Sequence, residues 1–234
     1  MNNGKIKVFP NPSTYRERSF MKISKPNLAA ELEFTDDLIH LIEWAQEEEL
    51  EIEAKHFKDL AMVEIDFSKL SFRESLFENC EFTHCDFEKI DCRDVRFQSC
   101  NLSNSNFGEG YFNRCEFKSC KLIGVDFYQA QLQNIRLTDC NLQYGNFGKA
   151  KLKGIEISEC DLSDTTISEC KLTQIDLDRV NFCGASFFKT PLKGLDFTTS
   201  QIDGLIVSIE ALSGAVVSTY QAAELAKLLG LIVQ

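Results

Sequence analysis

No apolar run in this sequence approaches the roughly 18 residues needed to span a bilayer, which excludes a membrane-crossing helix. The N-terminus, Met1-Asn-Asn-Gly-Lys-Ile-Lys, has no hydrophobic signal core, so the expected compartment is the cytoplasm. Histidine is scarce: His40, His56 and His84 are scattered, with no Ser-His-Asp order, no HExxH and no Gly-rich phosphate loop. No enzyme, metal site or cofactor is therefore expected. Bases are outnumbered, 25 against 36 acids, and the net charge of −11 repels nucleic acid and favours basic partners. Tryptophan occurs once against 19 Phe, and ten Cys stand without an export signal. In a reducing compartment such cysteines are thiols or core residues rather than disulfides.

What is present is a period. Starting at Phe57 and stepping by five to Val217, all 33 positions are apolar, and 15 of the 19 Phe fall on them. At 44% apolar composition the chance of this is on the order of 10⁻¹². The position two before each of these centres is small or aliphatic from Leu60 to Leu205, never charged. It holds eight of the ten cysteines: Cys80, Cys85, Cys100, Cys115, Cys120, Cys140, Cys160 and Cys170. With no Cys-x-x-Cys or paired His, these read as small buried hydrophobes rather than metal ligands. Lys55 and Glu210 occupy the same slot at either end and bracket the regular region.

A large residue every fifth position with a small one two before it fits neither a helix nor a strand. It fits a chain that turns a corner every five residues. Four sides close a square coil of twenty residues, stacked at the parallel-strand spacing of about 4.8 Å into a rod of roughly 37 Å. The fold class is all-β: a square, quadrilateral parallel β-helix with a short C-terminal helix. Columns recur every twenty residues, one of them Phe67, Phe87, Phe107, Phe127 and Phe147. A rod filled with Phe and Leu leaves no concave catalytic pocket.

Both ends of an open coil need covers. Residues 1–30 read as an extension or leader. Residues 31–54 form an acidic cap, with ten acids and no Lys or Arg over 31–53, helical spacing of Leu38, Leu41, Ile42 and Ala45, and Trp44 expected to pack on the open end. Residues 55–217 are the coil, and 218–234 a C-terminal helix and strand. There, Ser218-x-x-Gln221 is a capping box opening a helix that stops at Gly230. Leu225, Leu228, Leu229, Leu231, Ile232 and Val233 then leave apolar surface, for which an end-to-end homodimer is the expected cover.

The motifs Cys80-Glu81-Phe82, Cys85-Asp86-Phe87, Ser105-Asn106-Phe107, Cys140-Asn141-Leu142 and Cys160-Asp161-Leu162 resemble the A-(D/N)-L-x-x consensus of the pentapeptide repeat family. The closing segment is similar to that of Qnr-type quinolone-resistance proteins. It comprises Leu192-Lys193-Gly194-Leu195-Asp196-Phe197, Leu212-Ser213-Gly214, Gln221-Ala222 and Leu228-Leu229-Gly230-Leu231-Ile232-Val233. The likeness is to the loop-free Gram-positive kind, spans Met21 onwards, and makes residues 1–20 an upstream extension. The five-residue register from Phe57 to Val217 has no interrupting loop.

That resemblance implies a right-handed quadrilateral parallel β-helix, binding to DNA gyrase and topoisomerase IV, protection from quinolones by resembling DNA, and the C-terminal dimer. A non-catalytic scaffold for another partner is the alternative. Candidate contact residues are the acidic run Glu156, Glu159, Asp161, Asp164 and Glu169, and the outward column Asp66, Asp86 and Asp126. Asp and Asn in that column also suit a purely structural role, bonding the adjacent backbone to hold the corner. Direct nucleic-acid binding is not expected.

Overall fold

The computed structural model describes residues 23–233. The expected leader over residues 1–20 and the start at Met21 lie outside them. The chain winds into the predicted square solenoid, with each side in parallel register to the side twenty residues on. Tyr111 pairs with Gln131, Gln131 with Lys151, and Lys151 with Lys171.

Four faces follow one another around the coil. Face 1 has the inward centres Phe57, Phe77, Phe97, Phe117, Leu137, Ile157 and Leu177, and face 2 has Met62, Phe82, Leu102, Leu122, Leu142, Leu162 and Phe182. Face 3 has Phe67, Phe87, Phe107, Phe127, Phe147, Ile167 and Phe187, and face 4 has Phe72, Cys92, Phe112, Leu132, Leu152 and Leu172. In the later coils faces 4 and 1 merge into eight-residue strands, Tyr111–Lys118, Gln131–Thr138, Lys151–Ser158 and Lys171–Asp178. Faces 2 and 3 are tight turns joined by single bridges such as Asp86 to Asn106.

The corners are made by one residue in the left-handed region, two after the centre: Lys69, Lys89, Glu109, Gln129, Lys149 and their equivalents on the other sides from Asp59 to Gly194. This conformation costs a non-glycine residue roughly 1–2 kcal/mol. It persists because the backbone ladders on both sides fix it. Glycine takes some of these corners, and at Gly184 (φ 70°) space is also short: an added Cβ would strike Asp164 Oδ1.

The centres fill the axis as two phenylalanine ladders. On face 3, Phe67, Phe87, Phe107, Phe127 and Phe147 stack at 4.4, 4.5, 5.2 and 5.2 Å between ring centres. On face 1, Phe57, Phe77, Phe97 and Phe117 stack at 4.6, 4.8 and 4.8 Å. Above them the centres become Leu and Ile, and the core is less full. A cavity of about 40 Å³, lined only by apolar side chains including Leu162, Ile167 and Leu172, lies there. Pro191 stands where Lys151 and Lys171 donate their N–H to Ala130 and Ala150 (2.9 and 3.0 Å), and it has no N–H to repeat the bond.

The slot two before the centre corrects one expectation. Its cysteines are buried and free, yet they are more than small hydrophobes. Cys120 Sγ donates to the Phe97 carbonyl at 3.4 Å, Cys140 to Phe117 at 3.4 Å and Cys170 to Phe147 at 2.8 Å, always 23 residues back. Ser105 and Thr190 make the same bond with hydroxyls, to Phe82 (2.9 Å) and Ile167 (2.6 Å). Where the slot holds a thiol or hydroxyl rather than an aliphatic side chain, as at these positions, the side chain gives its hydrogen to the coil below. Burial pushes the Cys115 thiol up to about 12 and Cys170 up to about 11.

At the N-terminal end the first coil is incomplete. Glu33–Thr35 supplies face 1 by pairing with Lys55–Phe57, and Glu51–Glu53 supplies face 4 by pairing with Ser71–Arg73. Helix α1 (Leu38–Glu47) replaces the other two sides and buries Leu38, Ile42 and Ala45 on the open core. Trp44 does not pack on that end as expected; it is 50% exposed, because it lies off the stripe of those three residues. Residues 23–30 lie against the corner between faces 4 and 1. Ile23 is buried beside Gly154, the Asn27 N–H donates to Asp94 at 2.9 Å, and the Ala29 N–H reaches the Glu74 carbonyl at 3.5 Å.

At the other end helix α2 (Thr219–Ala226) opens with the predicted Ser218–Gln221 capping box. The buried Gln221 amide also donates to the carbonyls of Phe197 (2.7 Å) and Ser200 (2.8 Å), closing the last coil. Gly230 ends the helical segment in the left-handed region. Residues 231–233 are not a strand.

Candidate interaction surface

Each side presents three outward positions: one before the centre, one after it, and the corner. The Asp column before the face 3 centres holds the fold. Asp66 Oδ1 accepts the Ser68 N–H at 2.8 Å, Asp86 that of Glu88 at 2.9 Å, and Asp126 that of Tyr128 at 2.8 Å. Asn106 and Asn146 accept likewise from Gly108 and Gly148, both at 2.9 Å, and donate to Asp86 and Asp126 at 2.9 and 3.0 Å. The Ser68 side chain and N–H hold the Asp66 carboxyl below the usual carboxylate range. These carboxylates bond the backbone first, and their remaining oxygen faces outward.

The acidic run contiguous in sequence is not contiguous in space. Glu156 lies on face 1, Glu159 at its corner, Asp161 on face 2, Asp164 at the next corner and Glu169 beyond face 3. Glu156 is paired with Arg136 at 2.5 Å within a ladder of alternating sign, Arg96, Glu116, Arg136 and Glu156. Glu159 pairs with Arg179 at 2.5 Å. Asp161 accepts the Ser163 N–H at 2.9 Å and the Asn181 and Gln143 amides at 3.1 and 2.9 Å. Asp164 and Glu169 are exposed corner residues.

Sorting every charge by face reveals what the linear sequence hides. Over residues 56–205, faces 1 and 2 carry 14 acids and 6 bases, while faces 3 and 4 carry 9 acids and 11 bases. The excess acid is concentrated towards the C-terminal end of these two faces: residues 155–205 carry eight acids against Arg179 alone, while residues 56–144 carry six acids against five bases. The alternating ladder and this sorting are both legible once the chain is written in rows of twenty.

The six predicted C-terminal residues differ in exposure. Leu225 packs partly against the core, whereas Leu228, Leu229, Leu231, Ile232 and Val233 are exposed, Ile232 by 89%. Ile206, Ile209, Val216 and Tyr220 add exposed apolar surface in the same closing segment.

Residues 110–187 match the family model "Pentapeptide repeat region", and residues 90–127 match "Pentapeptide repeats (8 copies)". Residues 90–187 are pentapeptide repeats, and the same five-residue register runs on through the rest of the solenoid. Among solved structures, this pentapeptide repeat chain is similar to full-length QnrB1, a plasmid-mediated fluoroquinolone resistance protein. They share 22% identity over 76% of this chain and 91% of that one, with a TM-score of 0.48. It is also similar to HetL, a pentapeptide repeat protein involved in heterocyst differentiation regulation from the cyanobacterium Nostoc sp. strain PCC 7120. There the identity is 12% over 69% and 84% of the two chains, with a TM-score of 0.41. No curated protein matches the chain.

Proposed function

We propose that this pentapeptide repeat protein acts in the cytoplasm as a non-catalytic binding protein for the type II topoisomerases DNA gyrase and topoisomerase IV. It protects them from quinolones. The observation that carries the reading is the acidic stretch of faces 1 and 2 near the C-terminal end of the rod, eight acids to one base over residues 155–205. A rod with carboxylates at fixed spacing complements a basic groove that otherwise holds duplex DNA, and charge of that sign accelerates encounter. The Qnr-like closing segment supports the same choice of partner. The exposed Leu228, Leu229, Leu231, Ile232 and Val233 support a two-fold dimer that doubles the rod.

The test is a gyrase supercoiling assay inhibited by ciprofloxacin, to which the purified protein is added. Restored supercoiling at low protein concentration is expected. Inhibition alone, or no effect at high concentration, would instead favour a scaffold with another partner.

A further inference from the structure

The excess acid has a counterpart. In the coils spanning residues 131–195 the chain has eight bases and eight acids and so is neutral overall. The folded rod separates them. Faces 1 and 2 take seven of the acids with Arg136 and Arg179; faces 3 and 4 take six lysines with Glu169 alone. The lysines are Lys149, Lys151, Lys153, Lys171, Lys189 and Lys193, all exposed.

On face 4 these lysines stand in rows. Lys151 is in register with Lys171, one coil apart at about 4.8 Å. Lys153 and Lys193 share another column two coils apart. No ion pair to any of the six is present among the described residues. Like charges set this close on a rigid wall repel one another; no acid sits among the face 4 rows of these coils, and Glu169 stands alone in the corner column between Lys149 and Lys189.

The remaining outward residues of face 4 in these coils are Gln131, Gln133, Asn134, Thr173 and Gln174, with Pro191 and Gly194 beside Lys193 and Gly154 covered by Ile23. Lys, Gln, Asn and Thr are the side chains that contact phosphate and sugar. A protein-binding surface has an apolar centre, and this face has none. At its edge, Lys149 lies over the half-exposed Tyr128 ring at 5.5 Å, and Lys189 over Phe188 at 5.2 Å.

We infer that face 4 and its corner with face 3, over residues 131–195, bind the phosphate backbone of duplex DNA. The net charge of −11, which argues against nucleic acid in the sequence, does not act here. The acidic cap at residues 31–53 is about five coils, or about 24 Å, from Lys151. That exceeds two Debye lengths of about 10 Å at 0.1 M salt. The inference stands apart from the topoisomerase reading, because it concerns the opposite side of the rod and a different ligand. If both hold, the rod touches enzyme with one side and DNA with the other.

The experiment is fluorescence anisotropy of a labelled 20-base-pair duplex titrated with the full chain between 50 and 200 mM salt. Binding is expected at low salt, with log affinity against log salt falling at a slope of about −4 to −5 for five contacts. The triple variant K151Q/K153Q/K171Q, with an unchanged melting temperature because all three side chains are exposed, should bind at least tenfold more weakly and with a slope reduced by about three. Three outcomes would overturn the inference: no binding at 50 mM salt, equal binding by the triple variant, or binding to polyglutamate but not to the duplex. None depends on whether gyrase is protected.

Discussion

The Asn27 backbone N–H donates to Asp94 Oδ1 at 2.9 Å, joining positions 67 residues apart in sequence. Asp94 is buried at the corner between faces 4 and 1 and is also ion-paired with Arg114. Burial pushes its carboxyl up, but the Arg114 pair and the Asn27 N–H outweigh it and hold it below the ordinary value. A depressed carboxyl stabilises the fold above its unfolded value near 3.8 and loses that contribution as pH falls through its folded value. Exchange protection at the Asn27 amide should therefore hold at pH 5 and fall only below about 3.8. Asp94→Ala, which removes the acceptor, should lose that protection at every pH and cost about 1–2 kcal/mol, discounted for the part-exposed Arg114.

The face 3 ladder is broken once. Ile167 stands between Phe147 and Phe187 and lines the core cavity. Ile167→Phe should extend the stack and fill the void, raising stability by about 1 kcal/mol, or roughly 2–4 °C in a chain of this size. Thermal unfolding followed by circular dichroism checks it; a fall in melting temperature would mean the cavity is too narrow for the ring.

Nine cysteines are buried and Cys183 is half-exposed. Under native conditions a thiol reagent should modify Cys183 alone within minutes, and all ten only after unfolding. Because Cys170 gives its hydrogen to the Phe147 carbonyl, Cys170→Ser should be tolerated better than Cys170→Ala, as Thr190 makes the same contact one coil later. Denaturant midpoints of the two variants compare them directly.

Gln221 closes the last coil with two bonds from one buried amide. Gln221→Ala leaves the Phe197 and Ser200 carbonyls without donors and removes the capping box, at a cost of about 2–3 kcal/mol. If the exposed segment after α2 carries the dimer interface, Ile232→Lys should yield monomers by light scattering without lowering the monomer's own stability.

The coil was legible in the sequence because five-residue spacing survives any choice of occupant: Phe67, Ile167 and Leu177 differ in shape but share one direction. The cap helix was legible from Leu38, Ile42 and Ala45. Trp44 was not, since a large ring suggests burial while its position two residues past Ile42 turns it outward. The cysteine slot was half legible; smallness shows in the sequence, but a bond to a carbonyl 23 residues back appears only when coils are stacked. The acidic run was misleading for the same reason. Glu156 and Glu169 are 13 residues apart in sequence, so two corners of the coil fall between their faces. Asp161, bonded to Ser163, Asn181 and Gln143, is consequently a poor probe of partner binding, because reversing it would loosen face 2.

Asp164 and Asp203 are better placed: both are exposed on face 2. The decisive measurement is gyrase supercoiling at a fixed inhibitory dose of ciprofloxacin, comparing the native chain with D164K/D203K at matched melting temperature. Native protein should restore supercoiled product, and the double variant should need at least tenfold more protein for the same recovery. Equal recovery by both would remove the acidic side from the mechanism, and no recovery by the native chain would contradict topoisomerase protection itself.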